Sequence, residues 1–235
     1  MRSAGAVLTA AGSGSRLGAA VPKALVELAG TTLVAHAAAR LAGSGRVRHL
    51  VVTGPGDQLT EVRAAVRAVC AIPVEVVPGG PTRQASVAAG LAALDASNEI
   101  VLVHDAARPL ASTALIAQLI DTVASGHDAV VPALPVTDTI KEVDDADPPR
   151  AVRTIARERL RAVQTPQAFR ASLLRTAHRD AALLAADEHT AVSDDAGLVE
   201  RLGHEVRVIE GESRALKITT RHDLAIAALF LEEES

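Results

Sequence analysis

Two cations, Arg16 and Lys23, stand in the stretch LTAAGSGSRLGAAVPK, and Gly12, Gly14 and Gly18 surround the first of them. A glycine-rich turn between a strand and a helix presents several backbone N–H groups to phosphate oxygens. The dinucleotide fingerprint G-x-G-x-x-G needs glycine where Leu17 stands, and the P-loop needs Gly-Lys-Ser/Thr where Gly18 is followed by Ala19. Both patterns fail on spacing. What is left is A-A-G-x-G-x-R-x-G followed by Pro22 and Lys23, which sets two cations beside a phosphate-cradling turn. That pair suits attack on a nucleotide α-phosphate, where charge on the transferring group must be stabilised while pyrophosphate leaves. Either cation alone reads as a surface charge beside a turn; their joint placement points to chemistry.

Three further stretches carry candidate groups. In VVPGGPTRQASVAAGL a strand runs into the Gly79-Gly80 turn and then a helix whose first turns hold Arg83 and Ser86. The glycine backbone can approach a flat base closely, although such a turn is often only a turn. In IVLVHDAARPL, Asp105 stands just past the four-residue apolar run 100–103, after His104, where its carboxylate can take a divalent cation or a ribose hydroxyl, or simply cap a helix. Arg108, three residues on, is a phosphate fork for the same pocket. Neighbouring His104 reads as structural, because nothing pairs it with a nucleophile.

These groups need a scaffold that gathers them at one edge. The runs AGAVLTA, RHLVVTG, VEVVPGG, EIVLVHD, DAVVPALPV and HEVRVIEG are rich in Val, Ile or Leu and end in Gly, Pro or Asp, as buried strands do. Ala-rich segments with helical spacing lie between or beyond them: 33–41, 58–69, 86–94, 113–123 and 221–231. The alternation predicts an α/β fold, a Rossmann-like, mostly parallel twisted sheet with helices on both faces and ligands beyond the carboxyl ends of the strands. Residues 135–161 break the rhythm: DTIKEV and RAVRTIA flank the turn-forming DDADPP, which reads as a protruding β-hairpin arm, with a solvated loop as the alternative. At 235 residues the chain suits one domain, 1–235, with no linker long enough to divide it.

Composition narrows the partners. A net charge of −4 with no Trp and no Tyr gives neither the field nor the stacking platforms for nucleic acid. The first apolar run breaks at Gly12, too early for a secretory or membrane segment, so the expectation is no membrane and a cytoplasmic location. The one cysteine, Cys70, has no partner for an internal disulfide and reads as a small buried hydrophobe.

Taken in order with TDTIK, QTPQAF, SDDAGL and ALKITT, these stretches resemble the 2-C-methyl-D-erythritol 4-phosphate cytidylyltransferase family over nearly the whole chain. The resemblance implies a GT-A-like nucleotidyltransferase that joins CTP to methylerythritol phosphate with Mg2+ and releases pyrophosphate. It assigns Arg16 and Lys23 to the transition state at the α-phosphate. The nucleotide would lie against Ala10, Ala11, Gly12, Ser13 and Gly14 and against Gly79, Gly80, Arg83, Ser86, Asp105 and Ala106, with Asp105 near the metal. Arg108, Thr139, Thr165 and Ser193 would bind the acceptor, while Arg157 and Lys217 position its phosphate. It further implies a homodimer whose arms cross, so that Arg157 acts in the partner's site. Three positions depart from the commonest family pattern: Ala24 for glutamine, Ala215 for asparagine and Ser193 for threonine. Two rival readings are a ribitol 5-phosphate cytidylyltransferase and a non-catalytic nucleotide sensor. Thr139, Arg157 and Lys217 count against the first, and the presence of both Arg16 and Lys23 against the second.

Overall fold

A computed structural model describes residues 3–12, 21–182 and 193–234. Its elements run in this order: β1 (Ala4–Thr9), β2 (Glu27–Leu28), β3 (Thr31–Thr32), α1 (Leu33–Gly43), β4 (Val47–Gly54), α2 (Leu59–Arg67), β5 (Val74–Pro78), α3 (Arg83–Ala93), β6 (Ile100–Asp105), α4 (Thr113–Ala124), β7 (Ala129–Pro135), β8 (Ile140–Val143), β9 (Ala151–Ile155), β10 (Arg161–Val163), β11 (Gln167–Arg170), α5 (Ala171–Asp180), α6 (Asp195–Arg201), β12 (Val206–Glu210) and α7 (Arg221–Glu232). The six apolar runs are β1, β4, β5, β6, β7 and β12, and the five periodic segments are α1 to α4 and α7. Sequence reasoning missed β2, β3, β10, β11, α5 and α6.

β1 pairs in parallel with β4 on one side and β6 on the other, and β4 continues to β5. β11 then runs antiparallel between β6 and β7, while β12 joins β7 in parallel. The sheet is therefore mostly parallel with an antiparallel insertion. Its central strands are mostly apolar because both faces are covered, with polar residues gathered near their ends. Ala4, Ala6 and Leu8 of β1, with Leu50, Val52, Ile100 and Leu102, pack into a core with α1, α2 and α4. Val7, Val51, Val101 and Val103 pack oppositely, with α3, α5 and α6.

Sequence-encoded caps fix where the helices begin. Thr32, Thr82, Ser112, Asp194 and Thr220 each accept a first-turn backbone N–H at the head of α1, α3, α4, α6 and α7. Each such cap is worth about 1 kcal/mol. A third cluster, including Leu28, Leu33, Leu110, Ile218 and Ala227, seats α7 against the small β2–β3 hairpin.

β8 and β9 form the expected hairpin, pairing antiparallel from Ile140 opposite Ile155, as a sheet separate from the central one. Val143 and Val152 stand exposed on it, at 52% and 61%. Cys70 is half-buried against the first core, and burial raises its thiol pKa to about 11, which keeps it protonated. Among the described residues no helix is long and apolar enough to cross a membrane.

Candidate active site

The chain passes from β1 to β4 and β5 on one side and returns to β6 on the other, so strand order reverses between β1 and β6. Open α/β sheets bind ligands in the crevice beyond such a reversal. Thr9 and Asp105, the last residues of the two strands, are register partners, and Ala106 N–H donates to the Thr9 carbonyl at 3.0 Å. A cavity of about 410 Å3 opens above them. Its walls include Ala10, Ala11, Gly12, Lys23, Gly80, Arg83, Ser86, Asp105, Ala106 and Lys217, so it brings together most of the residues expected to hold a nucleotide. A second cavity, of about 210 Å3, shares Arg83, Asp105 and Lys217 with the first and extends to Arg108, Thr165, Gln167, Ser193 and Asp194.

The Gly79-Gly80 turn closes one side. A Cβ on Gly79 would lie 2.5 Å from the Cβ of Ala11 and 2.9 Å from Ser86 Oγ, so only glycine allows this approach to the first loop. Ser86 Oγ accepts the Gly80 N–H at 3.1 Å and donates to the Thr82 carbonyl at 2.9 Å, locking the turn to the start of α3. Thr82, which the sequence reading passed over, also accepts the Ala85 N–H, so this helix start is already partly satisfied.

Asp105 is the charged centre. Its Oδ1 accepts from Arg83 Nε at 3.0 Å and from Thr9 Oγ1 at 3.3 Å, and its Oδ2 accepts from Lys217 Nζ at 3.0 Å. Burial by itself would raise the pKa of this carboxyl; the charges of Arg83 and Lys217 outweigh that and hold it far below the usual carboxylate range. Arg83 also donates to Asp195 Oδ2 at 2.8 Å, and the two carboxylates overcome its burial and keep it charged.

Beneath Asp105 runs a chain of neutral hydrogen bonds. Asp105 N–H donates to Thr165 Oγ1 at 3.0 Å, Thr165 Oγ1–H to His104 Nδ1 at 2.9 Å, and His104 Nε2–H to the Arg108 carbonyl at 3.1 Å. This tautomer is assigned from the partners. Burial lowers the pKa of His104 to about 4, so near neutral pH the ring is uncharged and both nitrogens are engaged. Thr165 thus serves the architecture as well as lining the second cavity, and its peptide to Pro166 is cis. Arg108 is pinned from two sides, donating to the Ala215 carbonyl at 2.7 Å and the Val163 carbonyl at 3.3 Å. The contact from position 215 is made by the backbone, so alanine there retains it. Lys217 is held in place because Ile218 N–H donates to the Ala107 carbonyl at 2.8 Å and the Ile218 side chain enters the third cluster.

Not every expected residue converges. Thr139 and Arg157 are exposed and line neither cavity; Arg157 donates to the nearby Thr137 carbonyl. Ser13, Gly14 and Arg16 lie outside the described residues. Missed from sequence were Thr9, Gln167 and the two aspartates of SDDAGL, Asp194 and Asp195; the doubled acid beside a helix start was the available signal. No group of three or more His, Cys, Asp or Glu gathers around a metal position among the described residues. The first cavity instead offers the single carboxylate of Asp105, whose Oδ1 accepts from Arg83 and Thr9 while Oδ2, paired with Lys217, keeps a lone pair that fits Mg2+ when phosphates and water supply the other oxygens.

Comparison with known proteins matches residues 4–233 to the family described as IspD: 2-C-methyl-D-erythritol 4-phosphate cytidylyltransferase. The enzyme of that name from Saccharopolyspora erythraea is 46% identical over 229 residues, spanning 96% of this chain and 98% of its own. The one from Rhodococcus jostii is 48% identical over 228 residues, spanning 97% and 95%. Among solved structures, the 2-C-methyl-D-erythritol 4-phosphate cytidylyltransferase of Thermus thermophilus superposes with a TM-score of 0.76 at 34% identity, covering 99% of this chain and 100% of that one. The 4-diphosphocytidyl-2C-methyl-D-erythritol synthase of Anaerococcus prevotii superposes with a TM-score of 0.82 at 29% identity, covering 98% and 99%.

Proposed function

This chain belongs to the 2-C-methyl-D-erythritol 4-phosphate cytidylyltransferase family, and on that premise we propose how its own residues transfer CMP from CTP to 2-C-methyl-D-erythritol 4-phosphate. It is a nucleotidyltransferase of isoprenoid biosynthesis. An oxygen of the acceptor phosphate forms a bond to the α-phosphorus of CTP, the bond to the bridging oxygen breaks, and pyrophosphate leaves with that electron pair. The products are 4-diphosphocytidyl-2-C-methyl-D-erythritol and pyrophosphate.

One observation carries the assignment of roles: two cavities meet at Asp105 and share Arg83 and Lys217. CTP occupies the larger, with its base against the Gly79-Gly80 turn and its phosphates along Ala10 to Gly12. The acceptor occupies the smaller, its hydroxyls facing Arg108, Thr165 and Ser193. Lys23 and Arg16 stabilise charge at the α-phosphate, and Lys217 aligns the incoming phosphate. That phosphate is already an anion near pH 7, so positioning and charge carry the rate and no general base is needed. The engagement of both His104 nitrogens supports this. Mg2+, when bound, draws negative charge from the triphosphate oxygens, and Asp105 is the residue that would hold it.

The reading extends to a cytoplasmic homodimer in which the partner's arm supplies Arg157, and with it Thr139. Two facts support the dimer: Thr139 and Arg157 line neither cavity, and among the described residues the β8–β9 hairpin pairs only with itself while exposing Val143 and Val152. A two-stranded hairpin alone is marginal in water, and a second copy would cover it.

The test is pyrophosphate release by the purified protein with CTP and Mg2+, with methylerythritol phosphate or ribitol 5-phosphate as acceptor. Release with the first alone is expected. Release with ribitol 5-phosphate alone would keep the mechanism and replace the acceptor. CTP binding without release from either would turn the protein into a sensor.

A further inference from the structure

Asp195 opens α6 with its side chain only 1% exposed, and it lines neither cavity of the active site. Its Oδ2 accepts from Arg83 Nη1 at 2.8 Å and its Oδ1 from His178 Nε2 at 2.8 Å. The position of α6 is itself fixed by one buried glutamine of β11. Gln167 Nε2 donates to Asp194 Oδ2 at 2.8 Å and Gln167 Oε1 accepts the Ala196 N–H at 3.2 Å, so both neighbours of Asp195 are tied to the central sheet. His178, 5% exposed on α5, closes the arrangement from behind.

Arg83 is gripped at two points. Nε meets Asp105 and Nη1 meets Asp195, while Nη2 is buried without a hydrogen-bond partner. Two contacts to different carboxylates define the plane of a guanidinium; one contact leaves it free to swing about that hydrogen bond. Arg83 walls both cavities and shares Asp105 with Lys217, so its orientation sets the charge that both ligands meet. A buried carboxylate is a poor way to gain stability, since replacing a buried ion pair with apolar side chains is often neutral or better. Its value here lies in geometry.

We propose that Asp195, backed by His178, is a positioning residue for cytidylyl transfer: it holds the Arg83 guanidinium in one plane across the junction of the nucleotide and acceptor cavities. The proposal rests on the CTP-dependent reading of the site. The test is a double-mutant cycle of Asp195→Asn and Arg83→Ala, read both as kcat/KM for CTP and as the Kd for CTP by calorimetry. Asp195→Asn is expected to lower kcat/KM about 10-fold or more, as misplacement of a site group does. In the Arg83→Ala background the same change should move it less than about 2-fold, because the effect passes through Arg83. Two effects that simply multiply would assign Asp195 to stability alone and overturn the proposal, as would wild-type kinetics in Asp195→Asn. If Asp195→Asn does not fold by circular dichroism, Arg83→Lys decides. A single ammonium cannot fork to both carboxylates, so its kcat/KM should drop to within a few-fold of Arg83→Ala; a wild-type value would overturn the proposal. Wild-type protein run alongside separates the two failures. If it binds CTP but releases no pyrophosphate, the catalytic reading falls while the cycle in CTP Kd still decides the role of Asp195; if it binds no CTP, both fall.

Discussion

Lys23 brings a unit charge to the wall of the larger cavity, and its replacement removes that charge while leaving the Gly79-Gly80 turn intact. Lys23→Ala is expected to lower kcat by about 10²-fold or more, the usual cost of losing one preorganised electrostatic group. CTP should still bind, as calorimetry would show; wild-type turnover would take Lys23 out of the chemistry. His104 makes a second prediction, in stability. Its folded pKa of about 4 lies below the unfolded value near 6.5, so the unfolded chain binds the extra proton between those limits. Its contribution is full above pH 6.5, declines as pH falls and is exhausted below about pH 4. His104→Gln should flatten the dependence of Tm on pH in that window, where roughly 2–4 °C accompany each kcal/mol for a chain of this size; parallel curves would exclude the histidine. Asp105 acts lower, since its depressed pKa gives stability that is present above about pH 4 and lost under stronger acid. Asp105 could be read from sequence because it ends a strand that opens with four apolar residues. Asp195 could not, because its meaning depends on Arg83, more than a hundred residues earlier in the chain.

The Gly79-Gly80 turn is the element where backbone shape matters most. Gly79→Ala would drive a methyl group into Ala11 and Ser86, separating the turn from the first loop. Overpacking of this kind costs about 1–3 kcal/mol, so KM for CTP should rise about 10-fold or more with a smaller change in kcat. Steady-state kinetics with CTP varied would check it, and an unchanged KM would show that the turn does not touch the nucleotide. Strands β1, β4 and β6 were legible because burial on both faces leaves a continuous apolar run that few other structures share. β10 and β11 were not, being three and four residues long, too short for any period to register. α5 was passed over although Leu173, Leu174, Ala177 and His178 form its buried face. The arm was legible through its turn residues, since DDADPP cannot continue either flanking strand.

At the scale of the whole molecule, one chain gathers Arg83, Asp105 and Lys217 where the two cavities meet and leaves Thr139 and Arg157 outside both. The proposed dimer predicts complementation. Lys23→Ala and Arg157→Ala proteins, each nearly inactive, should recover activity when mixed, because a mixed dimer holds one site with both residues intact. With full exchange of equal amounts, about one quarter of sites are restored. No recovery after exchange is confirmed by mass spectrometry would place Arg157 in its own chain's site or outside the chemistry. The seat of α7 has its own consequence. Ile218 anchors Lys217 to the cavity through the same cluster that holds Ala227 of α7, and Glu234 pairs with both Arg40 and Arg214. Ligand that engages Lys217 therefore binds only while α7 is docked, and by linkage it must raise the free energy of undocking. Amide protons of α7, none of whose residues lines either cavity, should exchange more slowly when CTP and the acceptor are both present, so this helix becomes a gauge of occupancy at a distance.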